Sequence, residues 1–172
     1  MDNKPKRGFR FSINGDAGKT ALASAYLQAI LHDNNNAALP KKSFSCSLGK
    51  KWTEKSPSDA IIFTFDTSNR KVFEDIEIYW IKKRELIKKT PVFLIGTYTY
   101  KTKLMPAEVS KKEVSEFVSK YKLDGYFFIN LNSRAKIIET LNKIISITNN
   151  INGYANHPAM FVQPPQEKCT II

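Results

Sequence analysis

Cysteine is almost missing from this chain: Cys46 and Cys169 are the only two in 172 residues. That count argues against a disulfide framework and suits a reducing compartment. Histidine is as scarce. His32 and His157 lie far apart and have no metal-ligand spacing around them. No Ser, His and Asp arrangement suggests a hydrolytic triad. No run of about 18 apolar residues occurs, so no transmembrane helix is expected. The N-terminal Met1-Asp2-Asn3-Lys4-Pro5-Lys6-Arg7 leads into only a short apolar stretch, and no signal-peptide core is expected. Acidic residues are outnumbered 16 to 27 by Lys and Arg, giving a net charge of +11.

The chain otherwise has the composition of a globular protein, with 42% hydrophobic and 25% charged residues. Its length suits one domain and a tail. The positive charge sits on the body, because residues 148–172 carry only Glu167 and Lys168 as charged side chains. Its densest run is Lys82-Lys83-Arg84-Glu85-Leu86-Ile87-Lys88-Lys89. This run reads either as a solvated helix face or as a membrane or partner patch. A nucleic-acid interface is disfavoured, since the aromatics fall in apolar runs rather than alternating with basic residues.

Strand and helix patterns alternate along the chain. Phe9 to Asn14 reads as a first strand, and Lys19 to about His32 as a helix with Leu22, Tyr26 and Ala29 at helical spacing. His32 fits the C-terminal end of that helix. Asp33 to Pro40 is a polar, Asn-rich loop, and Ser43 to Ser47 a short strand. Cys46 within it is either a reactive thiol or a buried structural one. Ala60 to Phe65, Pro91 to Ile95 and Tyr126 to Ile129 are continuous apolar runs of strand length. Such runs suit strands buried on both faces of a parallel sheet. Helical patterns cover about Val72 to Lys88, Lys111 to Lys120 and Ala135 to Ile147. Ser110 with Glu113 makes a capping box, and Ile138, Leu141 and Ile145 form an apolar stripe. The expected fold is α/β: a doubly wound, mostly parallel sheet flanked by helices.

Gly15-Asp16-Ala17-Gly18-Lys19-Thr20 lies between the first strand and the first helix, followed by Ala21. A phosphate-binding loop belongs at this place, because helix N-terminal amides and the helix dipole favour an anion. Lys19 would bridge outer phosphates and the Thr20 hydroxyl would coordinate Mg2+ when nucleotide is bound. The full pattern puts four residues before the Gly-Lys pair, and here only two separate Gly15 from Gly18. In strict register the first glycine position holds Ile13. The alternative is a plain Gly-containing turn that caps a helix.

The middle of the chain resembles the Rho branch of the Ras-like small GTPases. Ser56 to Phe65 is similar to the family's stretch entering its fourth strand. Phe73-Glu74-Asp75-Ile76-Glu77-Ile78-Tyr79-Trp80 resembles its Phe-Glu-Asn-Val segment with a following Trp, and Pro91 to Thr97 resembles its fifth strand with the Gly-Thr ending. The resemblance spans about 8–147 and implies a P-loop GTPase domain shortened in its switch region. It also places a guanine-base region at Thr97, Tyr98 and Tyr100 and at Asn130-Leu131-Asn132. Departures are specific. Tyr98 and Tyr100 replace the family's Lys and Asp, and the lost charged hydrogen bond, about 1.5–3 kcal/mol, implies about ten- to a hundred-fold weaker guanine binding. Cys46-Ser47-Leu48-Gly49-Lys50 replaces the Asp-x-x-Gly-Gln that holds magnesium and orients water. No Thr occurs between Ala21 and Trp52, so the switch threonine has no counterpart.

The domain layout expected is an N-terminal extension at 1–7, a G domain at 8–147, a flexible tail at 148–168 and a C-a-a-X box at 169–172. Cys169-Thr170-Ile171-Ile172 would be prenylated at Cys169. One lipid binds a membrane only marginally, so the basic body would supply the second signal. The expected location is the cytoplasmic face of a membrane, foremost the plasma membrane, with a cytosolic pool. Expected partners are GTP or GDP, effectors and regulators of Rho-type signalling, and the anionic inner leaflet, with no nucleic acid. Two functional readings share this fold: a GTP-binding switch with weak hydrolysis, and a pseudo-GTPase that acts as a tethered interaction module.

Overall fold

The structure, a computed structural model, describes residues 9, 11–15, 17–33, 46–48, 58–85, 87, 90–99 and 107–152. They form strands β1 (Phe11–Gly15), β2 (Cys46–Leu48), β3 (Ala60–Asp66), β4 (Val92–Tyr98) and β5 (Gly125–Asn130). The helices are α1 (Lys19–Asp33), α2 (Arg70–Lys83), α3 (Lys111–Tyr121) and α4 (Arg134–Ile151). The sheet order is β2-β1-β3-β4-β5, and each neighbouring pair is parallel. The architecture is therefore an α/β domain whose described strands are all parallel.

Both faces of the sheet are covered. Alternating side chains of the strands divide between two cores, which explains why the apolar runs show no polar face. Ile13, Ile62, Phe93 and Ile95 pack with Leu22 and Tyr26 of α1 and with Leu141 and Ile144 of α4. Ile61, Phe63, Phe65 and Leu94 pack with Phe73, Ile76 and Trp80 of α2 and with Val114 and Phe117 of α3. The chain leaves β1 towards β2 on one side and then starts β3 on the other side of β1. This is a topological switch point, the place at the carboxyl ends of the strands where ligands bind in open α/β sheets.

The element ends differ from the sequence reading at several places. β1 begins at Phe11 rather than Phe9 and includes Gly15, which pairs with Thr64 of β3. β2 is described over Cys46–Leu48, one residue past the expected end at Ser47, in register with Phe11 to Ile13, while positions 43–45 lie outside the described residues. α2 starts at Arg70 because Asn69 caps it, its side chain accepting from the Val72 amide. It stops at Lys83, not Lys88: Arg84 N–H still bonds Trp80 O, then Ile87 and Thr90 bond back three residues in turns. The turns bury Ile87 and deliver Pro91 to the start of β4, where proline's fixed φ suits extended chain. α3 matches expectation, with the complete Ser110–Glu113 capping box.

α4 runs past the expected helix end at Ile147. The helix runs through 148 to Ile151, and Thr148 is fully buried. Thr148 continues the buried face of Leu141, Ile144 and Ile145 at helical spacing, so packing, not composition, decides where the domain ends. No helix among the described residues is long and apolar enough to cross a membrane.

Candidate functional site

The site begins with two glycines that no other residue replaces without strain. Gly15 ends β1 at φ +137°, and a Cβ there would lie 1.9 Å from the Thr64 carbonyl oxygen. β1 and β3 thus approach each other more closely than any side chain allows. Gly18 has φ +80°, and its Cβ would meet Thr97 Cγ2 at 2.9 Å and Leu131 Cδ2 at 3.1 Å. The chain turns sharply between them and enters α1, whose first bond runs from Leu22 N–H to Gly18 O at 2.9 Å. Gly18 is therefore the cap. The Lys19, Thr20 and Ala21 amides that follow have no carbonyl within the helix to bond.

Lys19 is half-buried, and its ammonium donates to Gly15 O, folding the side chain over the turn. An ammonium has three donors, so two remain for an anion seated on the loop. Thr20 is exposed on the same first turn. It is a hard oxygen donor of the kind Mg2+ accepts. Among the described residues no cluster of three acidic, His or Cys side chains joins it. The Thr20 hydroxyl is the one hard oxygen side-chain donor described on this first turn. Ala17 is half-buried within the turn. Asp16 lies outside the described residues.

The expected base region meets the Gly15 to Thr20 turn, but not through the contacts the motif implies. Thr97 is fully buried, and its hydroxyl donates to Phe65 O at 3.0 Å, which ties β4 to β3. Its methyl group packs against Gly18. Tyr98 ends β4 half-buried, opposite Asn130 in register, and its carbonyl accepts from Leu131 N–H at 2.9 Å. Asn130 Oδ1 accepts the Asn132 amide at 3.0 Å in a local turn, leaving Asn132 exposed. Leu131 reaches over Gly18, so the loop after β5 and the turn after β1 touch directly. Thr97, Leu131 and Gly18 are thus brought together, whereas Tyr100 and Cys169 lie outside the described residues.

Several residues at this edge were not picked out from sequence. Thr64 is fully buried and donates to Asn14 O at 3.3 Å, and Asn14 in turn donates to Ser12 Oγ at 3.2 Å. The Thr64 hydroxyl thus ties β3 to β1 below the turn, and Asn14 is held within β1 by Ser12. Asp66 ends β3, and its Oδ1 accepts from Ser68 N–H at 2.8 Å and Ser68 Oγ at 2.6 Å. The signal for both was a polar residue inside or just after an apolar strand run, a position where burial requires a partner. Lower on the same face, burial raises the Tyr26 phenol to about 12, so it stays neutral beside the Phe11 ring.

No protein-family model matches the chain, and no curated protein matches it in sequence.

Proposed function

We propose that the chain is a nucleotide-binding domain of the Ras-like, Rho-type small GTPase kind, which holds GDP or GTP mainly by its phosphates and hydrolyses GTP slowly at most. One observation carries this reading: a turn with two positive-φ glycines, followed by Lys19 and Thr20, sits at the switch point of a doubly wound sheet. There, three amides at a helix start and one ammonium converge on a space suited to phosphate. Leu131 and Tyr98 would flank the base with apolar and backbone groups in place of the family's charged ones. A bound nucleotide would bring the magnesium ion with it, and Thr20 would complete its coordination.

Hydrolysis needs a group that orients water, and the sequence offers Lys50 where the family has Gln. The second reading is therefore a pseudo-GTPase. The family's acid position favours it: Cys46 fills that position, and it opens β2 opposite Phe11 at the start of β1. In both readings Cys169 would carry a prenyl group that tethers the domain to an anionic membrane, where Rho-type effectors and regulators would meet it.

The test is titration with fluorescent GDP, GTP and ATP analogues, with and without Mg2+. The reading predicts saturable guanine nucleotide binding that Lys19→Ala weakens by about ten- to a hundred-fold, the worth of one charged hydrogen bond. Equal binding by wild type and Lys19→Ala would sink it. Binding with no phosphate release in single-turnover assays would select the pseudo-GTPase.

A further inference from the structure

Four large hydrophobic side chains are exposed among the described residues, and two of them, Ile78 and Ile81, stand about one turn apart on α2 at 52% and 49%. Single exposed apolar residues are ordinary, but a pair on one helix face marks a surface that gains from being covered. The inner side of α2 seats Phe73, Ile76 and Trp80 against the sheet. Lys71, Glu74, Asp75, Ile78, Ile81 and Lys82 follow one another at helical spacing on the outer side, and all are exposed.

The charges on this outer face are ordered along the helix. Asp75 lies before Ile78 and Lys82 after it, both on one flank, while Glu74 and Ile81 lie on the other. Lys71, Asp75 and Lys82 form no ion pair among the described residues. A two-fold axis across the helix at Ile78 sets two copies of α2 antiparallel and keeps each flank on its own side. Ile78 then meets Ile78 of the second copy. Asp75 comes within about 1.5 Å, one residue's rise along the helix, of the level of Lys82 of the second copy, and symmetry forms the same pair again. Glu74 lays its stem against Ile81 of the second copy and keeps its carboxylate in water. Lys71 faces Glu85 of the second copy, a lesser pair because Arg84 already neighbours Glu85 at 3.9 Å. Parallel helices would instead set Asp75 beside Glu74 of the other copy, which repels. An anionic bilayer would meet the same two carboxylates beside Ile78 and be repelled as well.

We propose that the outer face of α2 is a self-association surface whose occupant is a second copy of this chain, docked antiparallel about a two-fold axis at Ile78. The contact is weak and reversible, because one helix face falls short of the total of about 1,200–2,000 Å² that stable interfaces bury. The net charge of +11 on each copy also opposes association at low salt. The surface is independent of the nucleotide reading, since it shares no residue with the Gly15 to Thr20 turn.

The experiment is sedimentation velocity of the full chain from about 10 µM to about 1 mM, in about 0.15 M salt, where charges more than about 8 Å apart are screened. The expected result is a sedimentation coefficient that rises with concentration towards that of a dimer, with a dissociation constant on the order of 100 µM. Ile78→Asp should weaken association by about tenfold or more, because it puts two carboxylates together on the axis. Asp75→Lys alone and Lys82→Glu alone should each weaken it by a similar factor, since each sets like charges against each other in both symmetry-related places. Mixed in equal amounts, these two single variants should associate again, because the exchanged charges then face their opposites across the axis. A parallel pairing or an unrelated surface gives no such rescue. All three positions are exposed, and melting within about 3 °C of the unaltered chain separates loss of contact from loss of fold. A chain that stays monomeric to 1 mM, a dimer indifferent to Ile78→Asp, or mixed variants that stay apart overturns the proposal. A monomer that binds phosphatidylserine vesicles through Ile78 would overturn it in favour of a lipid surface.

Discussion

The helices over one face of the sheet rest on a largely aliphatic core, whereas those over the other rest on interlocked aromatics and are tied to each other by polar groups. Under α1 and α4 the core is built on Ile13, Leu22, Ile62, Ile95, Leu141 and Ile144. Under α2 and α3, ring centroids stand 5.0 Å apart for Phe65 and Phe73, 5.3 Å for Phe73 and Phe117, and 4.7 Å for Phe117 and Tyr121. Arg70 of α2 reaches Glu113 of α3 at 2.7 Å, and Glu77 of α2 accepts from both Lys120 and Tyr121 of α3. On α4 the comparable acid, Glu139, pairs with Lys136 and Lys143 of its own helix. The Gly15 to Thr20 turn thus hangs from the face where apolar packing and close backbone approach set the geometry. The other face is fixed by side chains that name their partners.

Five substitutions probe that contrast. Gly15→Ala should have the largest effect, because the added Cβ meets a backbone oxygen that cannot move away without parting β1 from β3. A loss of about 5 kcal/mol or failure to fold is expected, read from urea unfolding or soluble yield. A near-neutral result would mean the strands are not locked at that point. Phe73→Ala should come next, at about 3–5 kcal/mol, since the ring bridges Phe65 and Phe117. A loss under about 1 kcal/mol would show that the aromatic layer is not what fixes α2. Ser110→Ala removes the hydroxyl that accepts the Glu113 amide and should cost about 1 kcal/mol, seen as a small drop in Tm.

The smallest effect is the pH dependence of the cross-helix pair. The Ser110 backbone N–H and the Arg70 guanidinium hold the Glu113 carboxyl at about 2, below its ordinary 4.5. A carboxyl depressed in the folded state contributes stability above its ordinary value, and that contribution is lost as pH falls from about 4.5 towards 2. Glu113→Gln should therefore flatten this part of the stability profile. Lys136 and Lys143 likewise hold Glu139 at about 2, so Glu139→Gln should flatten the same window. The two differ in hydrogen exchange: Glu113→Gln should loosen the start of α2 across the interface, and Glu139→Gln only α4. Identical exchange patterns would erase the distinction between the faces.

Much of this plan is written in local pattern. The apolar runs at Ala60 to Phe65 and Pro91 to Ile95 announce buried parallel strands, because only strands covered on both sides can be apolar throughout. The Ser110–Glu113 spacing announces the start of α3, because the capping box is closed within four residues. Gly15 to Thr20 announces a turn into a helix. The ends of elements were less legible. α2 stops at Lys83 although charged, helix-compatible residues follow, because Ile87 must be buried and the chain must reach β4. α4 continues past 147 because Thr148 has a place in the core.

The sequence by itself determined the order of strands and helices, the two-sided burial of the sheet and the kind of turn that follows β1, since each depends on residues close together in the chain. Only the tertiary structure decided that Gly15 lies against Thr64 and that Leu131 and Thr97 close over Gly18. These are meetings between segments far apart in sequence. Strand register and helix packing set them, and no local periodicity encodes either one.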